Sequence, residues 1–340
     1  MKINHIITAI LIIISFSCDK ESQDNDFPEI IKGNGVFIIN EGNYGWGNAS
    51  LGYYDKIEGK YYHKIFEKAN NRALGDVFQS ISLINDELFL TINNSGKIEI
   101  VDPITIESIS LIDGLNSPRR ITKISPSKAL VTELYNNKIS VINLDNYTIT
   151  DEIQVSGWTE DIVVQNNFIF ISNTGKDLVY VVDKENLIIL DSIATYPMPG
   201  RMTIDRFGKL WVVCSGIPEE NKSGALHSIN TENYEILETV EFAAVSFSNI
   251  AMNSAADCIY LVNNDIWKID VSNPEFPQTS FISADGRQFY GIGIDSNNDD
   301  IYISDAIDYV QRGKIMIYNK EGNLISSFDA GIIPGGFFFY

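Results

Sequence analysis

The residues with the clearest capacity for recognition chemistry lie in residues 41–49, EGNYGWGNA, where Tyr44 and Trp46 stand among Gly42, Gly45, Gly47, Asn43 and Asn48. Aromatic rings on a glycine-rich connection contribute little to a core and offer flat faces for stacking. Further along the chain, Arg72, Arg119, Arg201 and Arg287, together with Tyr135, Trp158, Tyr290 and Tyr309, fall on comparable connections. Guanidinium groups and aromatic faces suit a sizeable ligand with a flat apolar surface and polar or anionic appendages. Phe78, Tyr196, Met198 and Arg312 belong to the same set of connections. Catalysis has less support. His63 and His227 fall at outer or third-strand positions, and no nucleophile elbow, phosphate loop or zinc spacing occurs. Residues 295–300, DSNNDD, resemble the start of a calcium loop, but its twelfth position is Ala306 and no helix flanks it, so a hairpin turn is expected. No catalytic residue, metal ligand or resident cofactor is assigned.

These residues are positioned by a repeat. Apolar runs of strand length centre on Phe37, Phe89, Leu130, Ile169, Trp211, Tyr260 and Tyr302, at spacings of 52, 41, 39, 42, 49 and 42. A period near forty with four strand signals per copy is the signature of propeller blades. The fold class is therefore all-β, a seven-bladed β-propeller. The copy starting at Arg119 reads RRITKI, KALVTE, KISVIN and DEIQV, and the phase is constant along the chain. In this phase the first copy lacks its innermost strand, while residues 335–340, GGFFFY, supply one at the other end. Pairing of GGFFFY with residues 36–40 closes the ring and removes two exposed edges. The phase also sends the second-to-third and fourth-to-innermost connections to one end of the channel. That end gathers the aromatic and basic residues named above. The stripe Phe89, Trp211, Tyr260 and Tyr302 belongs to the core.

The 340 residues carry 25 Lys and Arg against 45 Asp and Glu, a formal charge of -20, which disfavours nucleic acid and anionic bilayers as partners. Residues 6–16 are almost wholly apolar and too short to span a bilayer, which fits a signal peptide over residues 1–17. Cys18 then stands where a lipoprotein cysteine would; the alternative is an ordinary secretory signal with an incidental cysteine. Residues 18–33, in which the mostly acidic run DKESQDND follows Cys18 over residues 19–26, are expected to form a tether, with the propeller occupying residues 34–340. Cys214 and Cys258 are expected to remain separate thiols.

The segments NEGNYGWGNASLGYYD, RALGDVFQSI, NNSGKIEIVD and YGIGIDSNNDDIYISDAIDYVQRGKIMIYNKEGNLISSFDAGIIP resemble the YncE-like, DUF5074-containing surface lipoproteins, the group that includes BtuG-type cobalamin-binding propellers. The likeness covers nearly all of the chain after the leader. It implies a seven-bladed propeller anchored through Cys18 to the outer membrane and facing the cell surface, as does the acidic stretch after the cysteine in lipoproteins of Bacteroidetes type. A periplasm-facing anchor is the alternative. The likeness further implies capture of cobalamin or another corrinoid and its delivery to a TonB-dependent outer-membrane transporter. A protein-interaction propeller without its own small ligand is the second expectation, and a lactonase or lyase on the same fold the third.

Overall fold

The computed structural model describes residues 26–242, 246–247 and 249–340. Cys18, the leader and most of the acidic stretch lie outside the described residues. Seven antiparallel sheets follow one another along the chain, and six of them have four strands. Their innermost strands are Pro334–Phe339, Phe78–Ile84, Pro118–Ser125, Thr159–Gln165, Pro199–Ile204, Asn249–Met252 and Phe289–Ile294, which we number as blades 1 to 7.

Ring closure follows the sequence expectation. Blade 1 has the order Pro334–Phe339, Gly35–Asn40, Ser50–Asp55, Lys60–Tyr62 from inside outward, so the last strand of the chain lies inside the first. Val36 pairs with Phe339, Phe37 with Phe338 and Ile38 with Phe337. Tyr340 N donates to Gly35 O at 3.1 Å and Gly33 N to Tyr340 O at 2.6 Å, which carries the closure to the last residue. Ile30, within the stretch expected as a tether, is buried and packs with Phe27 against the core between blades 1 and 2.

Each blade presses one face on its neighbour, so the middle strands are apolar on both faces while outer strands alternate. Phe168–Asn173 is buried almost throughout, whereas Ser108–Ile112 exposes most of its positions. Phe89, Trp211, Tyr260 and Tyr302 are all buried, as the stripe required. Trp211 and Leu226 of blade 5 meet Ile259 and Leu261 of blade 6, and its indole N–H donates to Asp205 Oδ2 at 2.8 Å. Cys214 and Cys258 are free thiols.

The Asp or Asn that ends most third strands has a physical role: its side-chain oxygen caps the turn into the outer strand. Asp55, Asp102, Asp183 and Asn230 each accept from the backbone N–H two and three residues on. Asp295 does the same for the innermost turn of blade 7, accepting from Asn297 N at 3.0 Å while its other oxygen bonds Lys56 Nζ at 2.7 Å. The DSNNDD segment is thus a hairpin turn.

Blade 6 departs from the expectation of four strands per copy. It holds Asn249–Met252, Cys258–Asn263 and Asp265–Asp270, and beyond the last of these only the isolated bridge between Ile266 and Ile282 continues the sheet. Pro274 and Pro277 occupy the stretch where a fourth strand would start, and proline cannot donate to a ladder.

Candidate functional site

The connections between second and third strands and those leading into the innermost strands share one face, and a repeated backbone bond shows it. The first residue after a second strand donates its N–H to the residue just before the innermost strand of the same blade. The pairs are Glu41 with Ile333, Asn93 with Val77, Leu134 with Ser117, Thr174 with Trp158, Ser215 with Met198 and Ala306 with Gln288, at 2.7–3.1 Å. Four of the acceptors, Val77, Ser117, Met198 and Ile333, have φ between 50° and 61°. For the β-branched Val77 and Ile333 that is a costly conformation, held by the latch.

The mouth has a charged floor supplied by the second residue of successive innermost strands. Arg119 makes a bidentate pair with Glu160, Nε to Oε2 at 2.6 Å and Nη2 to Oε1 at 2.7 Å, and also donates to Gln79 Oε1. Tyr290 donates its hydroxyl to Glu41 at 3.1 Å. The Glu41 carboxylate occupies space that only a glycine leaves: a Cβ on Gly335 would collide with Glu41 Oε1. Burial pushes the Glu41 carboxyl up to about 7, against the lowering influence of Tyr290 and Arg119. Burial and the neighbouring Glu41 raise the Tyr290 phenol. Burial works against the Arg119 charge, but the Glu160 carboxylate outweighs it and holds the guanidinium firmly protonated. Just below, Arg120 pairs with Asp161 at 3.0 Å.

Two aromatic rims flank this floor. On blades 1 and 7, residues 41–49 form a braced loop: Asn43 N donates to Asn48 Oδ1, Gly45 N to Asp76 Oδ2, Trp46 N to Asn43 O and Asn43 Nδ2 to Tyr309 O, at 2.6–3.0 Å. The loop holds Tyr44 and Trp46 with 77% and 78% of their surfaces in solvent. Tyr309 stands beside them, its ring 5.6 Å from that of Tyr290 and perpendicular to it. On blades 3 and 4, Tyr135 and Trp158 form a second edge-to-face pair at 5.6 Å, both exposed. Trp158 also lines a cleft of about 550 Å³ with Asn137, Lys176, Met198 and Ile217, all from connections on this face.

The structure therefore brings together Tyr44, Trp46, Tyr290 and Tyr309 on one rim, Tyr135 and Trp158 on the other, and Arg119 between them. Arg201 lies deeper, lining the channel. Arg287 is exposed and donates to Ala284 O at 2.9 Å. Arg72 is directed outward: it pairs with Glu99, donates to Ser108 Oγ at 3.1 Å and covers the Phe66 ring at 4.9 Å. Phe66 belongs to the short helix Ile65–Asn70 on the connection from blade 1 to blade 2, and with Ile65 it anchors that helix in the core. His227 is buried on a third strand, and burial lowers its pKa to about 4. Glu41, Glu160, Asp161 and Arg120 escaped the sequence reading. The signal was present, since Glu160-Asp161 and Arg119-Arg120 occupy equivalent places in consecutive copies.

Below the floor, Arg120, Arg201, Ser80 and Asn249 line a cavity of about 140 Å³, which is too small for a ligand of cofactor size. Among the described residues no cluster of three or more His, Cys, Asp or Glu side chains has the geometry to hold a metal ion. No helix among them is long and apolar enough to cross a membrane.

Comparison with solved structures returns propellers. A quinonprotein alcohol dehydrogenase-like protein from Bacteroides thetaiotaomicron superposes with a TM-score of 0.71 at 16% identity, covering 90% of this chain and 78% of that one. Hydrazine synthase of Kuenenia stuttgartiensis gives 0.63 at 14% identity over 75% of this chain and 87% of the other. Apo AztD from Citrobacter koseri gives 0.57 at 12% identity over 91% and 98%. At such identities the likeness shows the fold alone. No curated protein matches the sequence. The family model named domain of unknown function DUF5074 matches residues 34–339, the whole ring, and the chain belongs to the DUF5074 family.

Proposed function

We propose that this protein is a binding propeller that captures a large, flat ligand of the corrinoid class at its channel mouth, without chemical conversion. One observation carries the reading: two solvent-exposed aromatic rims, Tyr44–Trp46–Tyr309 and Tyr135–Trp158, flank a charged floor. A corrin ring offers broad faces for these side chains and amide arms for backbone groups, and its phosphate suits the exposed Arg287. The bracing of residues 41–49 lowers the ordering cost of binding, because the rings are presented before the ligand arrives. Anchoring through Cys18 at the cell surface and delivery to a TonB-dependent outer-membrane transporter complete the proposal, resting on the leader and on the resemblance to surface lipoproteins.

The test is calorimetry with cyanocobalamin on the folded chain. Binding at micromolar ligand, weakened about tenfold or more by Trp46→Ala, is expected. Absence of heat with a folded sample sinks the reading.

A second reading has a specific observation behind it. Tyr44 and Trp46 are held largely exposed on a braced loop, and rigid exposed aromatics are also the anchors of protein interfaces. In that case the mouth docks directly on a transporter. Co-purification that survives without any corrinoid, and is lost in Tyr44→Ala/Trp46→Ala, favours it.

A further inference from the structure

We infer that the channel beneath the mouth holds a second binding site, for a compact oxyanion, built on Arg120 and Arg201. The site goes beyond the mouth reading, since it uses neither aromatic rim.

The third residues of the innermost strands in blades 3, 4 and 5 are Arg120, Asp161 and Arg201. Asp161 lies between two arginines and satisfies only one. Its Oδ1 faces Arg120 Nε at 3.0 Å, and its Oδ2 accepts from Met202 N at 2.9 Å. Both carboxylate oxygens are thereby committed. Arg201 has no ion-pair or hydrogen-bond partner among the described residues, and the terminal nitrogens of Arg120 make no hydrogen bond among them.

Both guanidinium groups line the same 140 Å³ cavity, together with Ser80, Asn249 and the backbone of Gly335, and no carboxylate lines it. The molecule as a whole carries a formal charge of -20, which repels anions at long range, so an oxyanion is held here by the local convergence of two guanidinium groups. Partly buried guanidinium groups with free nitrogens call for a charged acceptor. Their planar forks match the spacing of oxygens in a carboxylate or phosphate. The cavity volume suits one such group and excludes anything much larger.

The shared chemistry has two sources: a free anion, or an anionic group carried by the ligand seated at the mouth. Calorimetry of the full chain with inorganic phosphate at low ionic strength tests the site. Binding that weakens roughly tenfold or more in Arg201→Gln, is partly retained in Arg201→Lys and is unchanged in Ile57→Ala, at an exposed turn of blade 1, is the expected result. Equal binding by Arg201→Gln, checked to be folded by its melting curve, overturns the proposal, as does absence of phosphate binding to the wild-type chain. Competition between phosphate and cyanocobalamin assigns the site to a group on the mouth ligand, and independent binding assigns it to a free anion. Arg201-dependent phosphate binding without any heat from cyanocobalamin would leave this site standing while removing the corrinoid reading.

Discussion

The hydroxyl of Tyr290 lies 3.1 Å from both carboxylate oxygens of Glu41, although 249 positions separate them in the chain. Glu41 follows the second strand of blade 1 and Tyr290 begins blade 7, so the contact exists only because the ring closes between them. It joins the structural seam of the molecule to the floor of its candidate site.

The protonation of Glu41 should be visible in stability. Its folded pKa, about 7, lies above the ordinary carboxylate value of 4.5, so the folded state binds the proton more tightly than the unfolded state. The stabilising contribution is complete below the unfolded value and is lost as pH rises through about 7. Glu67, raised to about 7 by burial, acts in the same direction. Chemical denaturation between pH 5 and pH 8, a window set by these shifts, should show wild-type stability falling, at most by about 1.4 kcal/mol per pH unit for each group. Glu41→Gln should flatten part of that slope. An unchanged slope in the variant would show that Glu41 titrates normally.

Gly335 and Glu41 should be coupled. A methyl at position 335 would collide with Oε1 of Glu41, so Gly335→Ala should cost on the order of 1–3 kcal/mol. In a Glu41→Ala background the same change should cost much less. A double-mutant cycle from urea melts measures the difference, and additive costs would contradict the geometry.

Removal of residues 335–340 should open the ring. The truncation strips Gly35–Asn40 of its inner partner and uncovers Phe37, which packs against Phe338 and Tyr340. The melting midpoint should fall and the transition lose its single cooperative step, with a rise in aggregation from the exposed edges. A truncated chain that melts like the intact one would show that closure contributes nothing to stability.

Trp46 and Trp211 should separate binding from folding. Trp46 is 78% exposed, so Trp46→Ala should change stability by no more than about 0.5 kcal/mol. Trp211 is fully buried between blades 5 and 6 and bonds Asp205, so Trp211→Ala should cost about 3–5 kcal/mol. Melting curves of the two variants, alongside the cyanocobalamin titration, distinguish a site residue from a core residue of the same type.

Most of the architecture was legible in the chain because a repeat states its rule many times. The spacing of Phe89, Leu130, Ile169 and Trp211, the Asp and Asn at the ends of third strands, and GGFFFY displaced to the far end determined seven blades and the way they close. Strand period and turn chemistry are local, so sequence carries them. The same phase placed Tyr44, Trp46, Tyr135, Trp158, Tyr290 and Tyr309 at one end of the channel, as the latch bonds between connections show. Blade 6 kept only three strands because Pro274 and Pro277 interrupt the ladder, a local signal masked by the regularity around it.

What only the tertiary structure decided is which side chains face one another once the ring has closed. Arg72 and Arg119 look alike in sequence, yet Arg72 is drawn outward to Glu99 while Arg119 is clamped by Glu160 at the floor. Whether a charged group is spent on a neighbour or left facing a cavity depends on three-dimensional distance and burial, and neither is written in the spacing of residues along the chain. Arg120 and Arg201, brought to one cavity with Asp161 already committed, and Glu41, lodged over the missing side chain of Gly335, are products of that closure.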